Sequence, residues 1–379
     1  MSVAPLFFIS SLLHFYVGWR VAPALPGGAG WFIALLAASA LLMPMVLMAR
    51  RVRAQPWSDR LAWAGSLAMG LFSSLFVLTL LRDALLLVLA VIALVVPGAL
   101  ADAAGANGAS ALAVPLLGAA ITLWGFVNAR RTAAVVSVEV PIVDLPAALH
   151  GFTIAQITDI HVGPTIKRAY LNRIVEAVNR LGADMVAVTG DLVDGSVREL
   201  GAHVAPLAQL SSTHGTFFVT GNHEHYSGAP AWVAELRRLG VNVLMNEHVV
   251  LQHAGGSVLI AGVTDFSAHH FDPAHRSDPQ AALAGAPADT TTRVLLAHQP
   301  RSAEAAELAG FQLQLSGHTH GGQFLPWNLF VRFQQPFTAG LHRLRGMWVY
   351  TSRGTGYWGP PKRFGAPSEI THVRLVPAA

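Results

Sequence analysis

Two patterns of hydrophobicity divide the chain. Up to about residue 128, apolar residues run almost without interruption. Beyond about residue 150 they come in short bursts separated by Gly, Asp, Asn and His. The long runs fall at about residues 4 to 22, 30 to 49, 61 to 81, 84 to 100 and 109 to 127. A membrane-crossing helix needs roughly 20 apolar residues, so these runs predict about five spans. Only Arg82 and Asp83 separate the third run from the fourth. Joined, the two would form a helix about 60 Å long at 1.5 Å per residue, too long for one crossing. A tight helical hairpin at Arg82–Asp83 is therefore expected, with four spans as the fallback. The first run lacks a charged leading segment and is followed by further apolar runs, so it reads as an anchor rather than a signal peptide. Arg20 is expected to snorkel at a helix end and His14 to pack.

The later bursts have strand character. Residues 136 to 150 read as a lead-in strand and linker. Phe152 to Thr158, Met185 to Thr189, Phe217 to Thr220, Val294 to Ala297 and Leu313 to Ser316 read as buried strands. Between the first two, Leu171, Ile174, Val175, Val178 and Leu181 recur at helical spacing, predicting a helix over Arg168 to Leu181. The expected organisation is a membrane domain over 1–128, a linker and lead-in strand over 129–150, and an α/β domain over 151–379.

Each of the five strands ends at a polar motif. In order these carry Asp159 and His161 (DIH), Asp191 (GDLVD), Asn222 (GNHE), His298 (AHQP), and His318 with His320 (GHTHGGQ). In α/β sheets, ligands gather beyond the carboxyl ends of strands, so residues distant in sequence would meet at one sheet edge. Oxygen and imidazole donors without a thiol suit Mn, Fe, Zn, Co or Ni. These donors are too many for one such ion but right for two ions sharing a carboxylate, the arrangement that clamps a phosphoryl displacement. DxH alone and GDLVD alone are weak signals; GHTHGGQ is strong, because two His at i and i+2 on a Gly-flanked turn can face one site. Gly190, Gly221 and Gly317 each precede a ligand, where close backbone approach is expected. His203, His214, His253, His269, His270 and His275 have no such context and read as packing or surface residues.

Composition adds exclusions. The chain has 379 residues, a formal charge of +4 and no cysteine, so neither disulfides nor a thiolate metal site is possible. Lys occurs only at Lys167 and Lys362, and no basic run interleaves with aromatics, so no nucleic-acid partner is expected. The loop after the second apolar run carries Arg50, Arg51, Arg53 and Arg60 against Asp59, a cytoplasmic signal. Five spans would then place the second domain outside the cytoplasm, and the reading leans that way. Arg130 and Arg131, after the last run, pull the other way.

The ordered set DxH, GDxxD, GNHE, a lone His and GHxH resembles the calcineurin-like metallophosphoesterase superfamily over about residues 150 to 376. The closing VYTSRGTGYWGPPKRFGAPSEIT looks like that of its bacterial membrane-anchored branch. The resemblance implies a β-sheet sandwich flanked by helices, with metals at the strand carboxyl ends and a multi-pass location in a bacterial inner membrane. It implies two divalent ions, Mn foremost. One would be held by Asp159, His161, Asp191 and His320, the other by Asp191, Asn222, His298 and His318. His223 matches the family's non-ligand histidine and would protonate the leaving oxygen. Glu224 is expected either to hydrogen-bond that imidazole or to be a solvated loop residue. Asp194 is expected to orient a ligand or the loop. Gly195 stands where the protein phosphatases of the superfamily carry Arg, so protein phosphatase activity is not implied.

The implied substrate is a phosphate ester or diphosphate, lipid-linked because the chain is tethered to a bilayer. A UDP-2,3-diacylglucosamine-like diphosphate of lipid A synthesis is the specific candidate. A phospholipid phosphoesterase of the outer face and a non-catalytic membrane sensor are the alternatives. Arg343, Arg345, Arg353, Lys362 and Arg363, with Trp348, Tyr350, Tyr357 and Trp358, read either as a rim for an anionic headgroup and membrane lipid or as ordinary surface.

Overall fold

The computed structural model describes residues 3–25, 27–49, 51–52, 54–96 and 99–378. Arg50 and Arg53 of the basic loop lie outside the described residues. The chain forms two units. The first is Met1–Arg130 with Gly359–Phe364; the second is Arg131–Trp358 with Gly365–Ala379.

The first unit is helical: α1 (Ala4–Val21), α2 (Ala29–Leu42), α3 (Met45–Ala49), α4 (Trp57–Ala93) and α5 (Ala99–Arg130). Three stretches are long and apolar enough to cross a membrane: Ala29–Ala49, Trp57–Ala93 and Gly105–Arg130. The expected hairpin at Arg82–Asp83 does not form. α4 runs through it as one helix of 37 residues, roughly 55 Å at 1.5 Å per residue. Two causes are visible. No Gly or Pro breaks the sequence there, and both charges find partners inside the bundle. Asp83 accepts from Tyr16 Oη at 2.7 Å and Arg20 Nε at 2.9 Å. Arg82 donates to Arg20 O at 3.0 Å and Asn107 Oδ1 at 2.5 Å. Arg20 is thus an ion-pair partner as well as a helix-end residue. His14 packs as expected, stacked 3.8 Å from Phe72 and bonded to Ser39 Oγ at 2.9 Å.

α4 and α5 are antiparallel. Arg82 meets Ser110 Oγ at 3.2 Å, Ser74 meets Thr122 at 3.1 Å, and Arg130 lies over the Trp63 ring at 5.3 Å. The start of α4 and the end of α5 therefore share one end of the unit.

The second unit is an α/β sandwich of two six-stranded sheets. Its strands are β1 (Ala134–Ile142), β2 (Thr153–Ile157), β3 (Met185–Val188), β4 (Thr216–Phe218), β5 (Asn242–Val243), β6 (Glu247–His253), β7 (Gly256–Gly262), β8 (Thr292–Leu296), β9 (Leu313–Ser316), β10 (Gly340–Leu344), β11 (Met347–Thr351) and β12 (Glu369–Pro377). One sheet runs β1-β12-β2-β3-β4-β5, the other β10-β11-β9-β8-β7-β6. Ile154, Met185 and Phe217 of the first meet Ile260, Val294 and Leu313 of the second in one buried cluster, each worth about 1.5–3 kcal/mol on burial. The predicted helix is α6 (Arg168–Asn179), with Leu171, Ile174, Val175 and Val178 buried.

Register positions the polar ends. β2, β3 and β4 are parallel, with Ile157 opposite Val188 and Val188 opposite Phe218. β8 and β9 are parallel, with Leu296 opposite Leu315. Strands that end level deliver their terminal polar motifs to one edge, on both layers of the sandwich.

Candidate metal centre

The edge collects six of the seven sequence-predicted donors into two sets. Asp159, His161 and His320 form one; Asp191, His298 and His318 form the other. His161 Nε2 lies 3.1 Å from His320 Nε2, and His320 Nε2 3.4 Å from Asp159 Oδ1. His298 Nε2 lies 3.2 Å from His318 Nδ1 and 3.1 Å from Asp191 Oδ2. Asp191 Oδ2 is also 3.9 Å from His161 Nε2, so this one oxygen faces both sets. The seventh donor, Asn222, is buried and its Oδ1 has no hydrogen-bond partner. An unpartnered buried carbonyl costs free energy unless something else satisfies it, and a cation would. The residues fit the group the motifs imply.

The backbone is bent to bring these side chains in. Asp159, His161, Asp191, His318 and His320 all have φ between +50° and +70°. Non-glycine residues rarely adopt that region, and such strain gathers at functional sites. Neighbouring glycines are required by contact. A Cβ on Gly317 would lie 2.2 Å from Asp159 Oδ2, and one on Gly221 would lie 2.2 Å from Asp191 Oδ1.

Outer partners set the imidazole tautomers. The His298 Nδ1–H donates to Thr189 O at 2.7 Å, and His161 Nδ1–H to Asp194 Oδ1 at 3.0 Å. Each leaves Nε2 as a lone pair aimed into the site. Thr158 Oγ1 donates to Asp159 Oδ2 at 2.8 Å, and His318 N–H donates to both Asp159 oxygens at 3.0 Å. Sequence patterns do not single out Thr158 or Thr189, because a Thr before a ligand motif has no periodicity of its own.

The second structural difference concerns Glu224. It does not reach the His223 ring, nor is it solvated. Its carboxylate is fully buried and accepts backbone N–H groups from Gly221 at 2.7 Å, Asp191 at 2.9 Å, Leu192 at 2.8 Å and Val193 at 3.3 Å. It ties the GDLVD turn to the GNHE turn and so places Asp191 and Asn222 together. The partner of His223 is Asp194, which accepts from Nδ1 at 2.5 Å. Asp194 therefore holds His161 and His223 at once, leaving His223 Nε2 4.0 Å from Asp191 Oδ2.

Charge follows this geometry. Burial works against the His223 cation, but the Asp194 hydrogen bond and the Asp191 and Asp194 charges outweigh it and raise its pKa to about 9. Burial also opposes ionisation of Asp194, yet His161 and His223 hold its carboxyl well below the usual range. Burial and the Asp191 charge push Glu224 up to about 8. Its backbone donors pull the other way, so cations that neutralise Asp191 would leave it ionised. Burial lowers His318 to about 4, keeping it a neutral donor.

Residues 152–322 match the model of the calcineurin-like phosphoesterase family. A transmembrane protein with metallophosphoesterase domain from Danio rerio is 37% identical over 271 residues, covering 69% of this chain and 62% of that protein. An uncharacterised metallophosphoesterase of Helicobacter pylori is 42% identical over 226 residues, covering 58% of this chain and 59% of that one. Another, from Aquifex aeolicus, is 32% identical over 221 residues, covering 58% of this chain and 82% of its own. The chain thus spans about three-fifths of the first two relatives. With the ligand motifs in order and the donors converged at one edge, the chain belongs to the calcineurin-like metallophosphoesterase family.

Proposed function

We propose that this protein is a membrane-anchored, metal-dependent hydrolase of phosphate ester or diphosphate bonds, acting on a lipid-linked substrate. The convergence of six donors in two sets, with the Oδ1 of the seventh, Asn222, buried and unsatisfied, carries the reading. A chain that had kept the fold only as a sensor would have no reason to keep every donor. Asp159, His161, His320 and Asp191 would hold one divalent cation, and Asp191, Asn222, His298 and His318 the other, with Mn the first choice. Bound there, the pair would neutralise phosphoryl oxygens and acidify water. His223, oriented by Asp194, presents a protonated Nε2 to a departing oxygen. Glu224 keeps the two turns in register.

In detergent with Mn²⁺, the full chain is expected to hydrolyse an aryl phosphate monoester or diester, and chelation should abolish turnover. Purified protein that retains no transition metal on elemental analysis would sink the proposal. A UDP-diacylglucosamine-like diphosphate is the specific lipid to try first.

The helical unit supports a cytoplasmic site, against the outward lean of the sequence. That lean counted a hairpin at Arg82–Asp83; the single α4 removes one crossing. Arg51 and Arg60 at the start of α4 then share an end with Arg130 at the close of α5. The basic signals agree, and clustered Arg marks the cytoplasmic side. A phosphatase reporter active only outside the cytoplasm, fused after Arg131, is expected to be silent, and a cytoplasmic reporter at the same joint active. The reverse pattern would place the site outside and exclude a UDP-linked substrate.

A further inference from the structure

The loop between β9 and β10 leaves an apolar ridge in solvent. Of the nine residues from Leu325 to Phe333, five are large, apolar and exposed: Leu325, Trp327, Leu329, Phe330 and Phe333, at 39% to 75%. Soluble surfaces rarely gather such residues without a use for them. The ridge is ordered rather than slack. A short helical turn, Asn328–Val331, carries its crest. The rings of Trp327 and Phe330 stand 5.8 Å apart, those of Phe330 and Phe333 6.4 Å.

Its base is tied to the metal centre. Gln335 Nε2 donates to Gln299 Oε1 at 3.1 Å, and Gln299 follows the ligand His298. Gln323, three residues after His320, exchanges hydrogen bonds with the Trp358 backbone at 2.8 and 2.9 Å. Trp358 is itself half exposed, its ring 5.6 Å from that of His223. Gln323, near the foot of the ridge, is thus bonded to a half-exposed tryptophan that stands beside the His223 imidazole.

We propose that the Leu325–Phe333 ridge docks into the lipid bilayer and sets the mouth of the metal centre against the membrane surface. Three observations favour a bilayer over a protein partner. The ridge is built from Trp, Phe and Leu, the residues that seat peripheral elements at the acyl boundary. No Asp or Glu occurs between Glu307 and Glu369, while Arg332 and Arg343 do, a balance suited to anionic headgroups. The chain carries its own membrane-crossing helices, so a bilayer is always within reach. The basic residues that the sequence marks as a rim are mostly engaged elsewhere. Arg353 pairs with Glu369 at 2.5 Å, Arg345 with Glu307 at 2.7 Å, and Lys362 and Arg363 are buried. The apolar crest makes the contact.

The inference extends the lipid-linked reading above but is tested without turnover. Because the chain has no cysteine, Phe330→Cys takes a single environment-sensitive thiol dye. In full-length protein reconstituted into phosphatidylethanolamine–phosphatidylglycerol vesicles, that dye should shift to the blue and lose most of its emission to quenchers on the acyl chains. A dye at Gln252→Cys reports water, since Gln252 is exposed and pairs with Ser257 at the amino end of β7, away from the ligand edge. Phe333→Cys repeats the measurement should the first variant fold poorly. Labels at 330 and 333 as wet as the one at 252 overturn the proposal. Hydrolysis of a soluble aryl phosphate by the same preparations reports separately on the hydrolase reading.

Discussion

Asp191→Asn is expected to strip both metals and reduce turnover to background, more completely than any other single-ligand change. The reason is position. Its Oδ2 lies 3.1 Å from His298 Nε2 and 3.9 Å from His161 Nε2, so a single oxygen belongs to both donor sets. Its Oδ1 accepts the His223 N–H at 2.8 Å, which fixes the rotamer. Asn is almost isosteric but neutral, so it removes the shared negative charge while leaving the packing in place. Disturbing groups that only support a ligand costs about 10–100-fold in affinity or activity; removing a shared ligand should cost more. Elemental analysis alongside Asn222→Ala and His320→Ala is the comparison, with circular dichroism to confirm folding. Those two variants should each lose chiefly one ion. If Asp191→Asn also keeps one ion at full occupancy, the bridging role is wrong.

Much of this site is legible in sequence because it is encoded at strand ends. An apolar run announces a strand by composition, and its end announces itself when Asp, Asn or His comes next. Neither depends on tertiary context. What is not legible depends on partners far away in the chain. Arg82–Asp83 reads as a break because the joined runs would make a helix about 60 Å long, too long for one crossing; the bonds to Tyr16, Arg20 and Asn107 that hold both charges in one continuous helix cannot be seen locally. Glu224 reads as a neighbour of His223 in sequence, but a short helix from Asn222 to Ser227 turns it to the opposite side, onto four backbone amides. The aromatic ridge is invisible for a similar reason. No motif or periodicity marks FLPWNLFVRF, and only the fold shows Phe330 and Phe333 largely exposed.

His223→Ala should keep both metals yet lose about 10²–10⁴ in turnover, the range general acid–base groups supply. The imidazole belongs to neither of the two donor sets, although it lies beside His161 and Asp194. It is held from behind by Asp194 at 2.5 Å; burial works against its cation, but the Asp194 hydrogen bond and charge favour the protonated form. Such a group has a proton to give and is aimed at the site. The loss should therefore depend on the leaving group. An alkoxide must be protonated as it departs, whereas nitrophenolate leaves readily as the anion, so a nitrophenyl ester should recover much of the lost rate. Asp194→Asn separates orientation from chemistry. It keeps the proton donor but weakens its hold and removes the charge that raises its pKa, so it should fall between wild type and His223→Ala on the alkyl ester. Because Asp194 also orients His161 at 3.0 Å, its metal content must be measured in parallel. Equal losses on good and poor leaving groups in His223→Ala would show that the residue positions the substrate rather than delivering a proton.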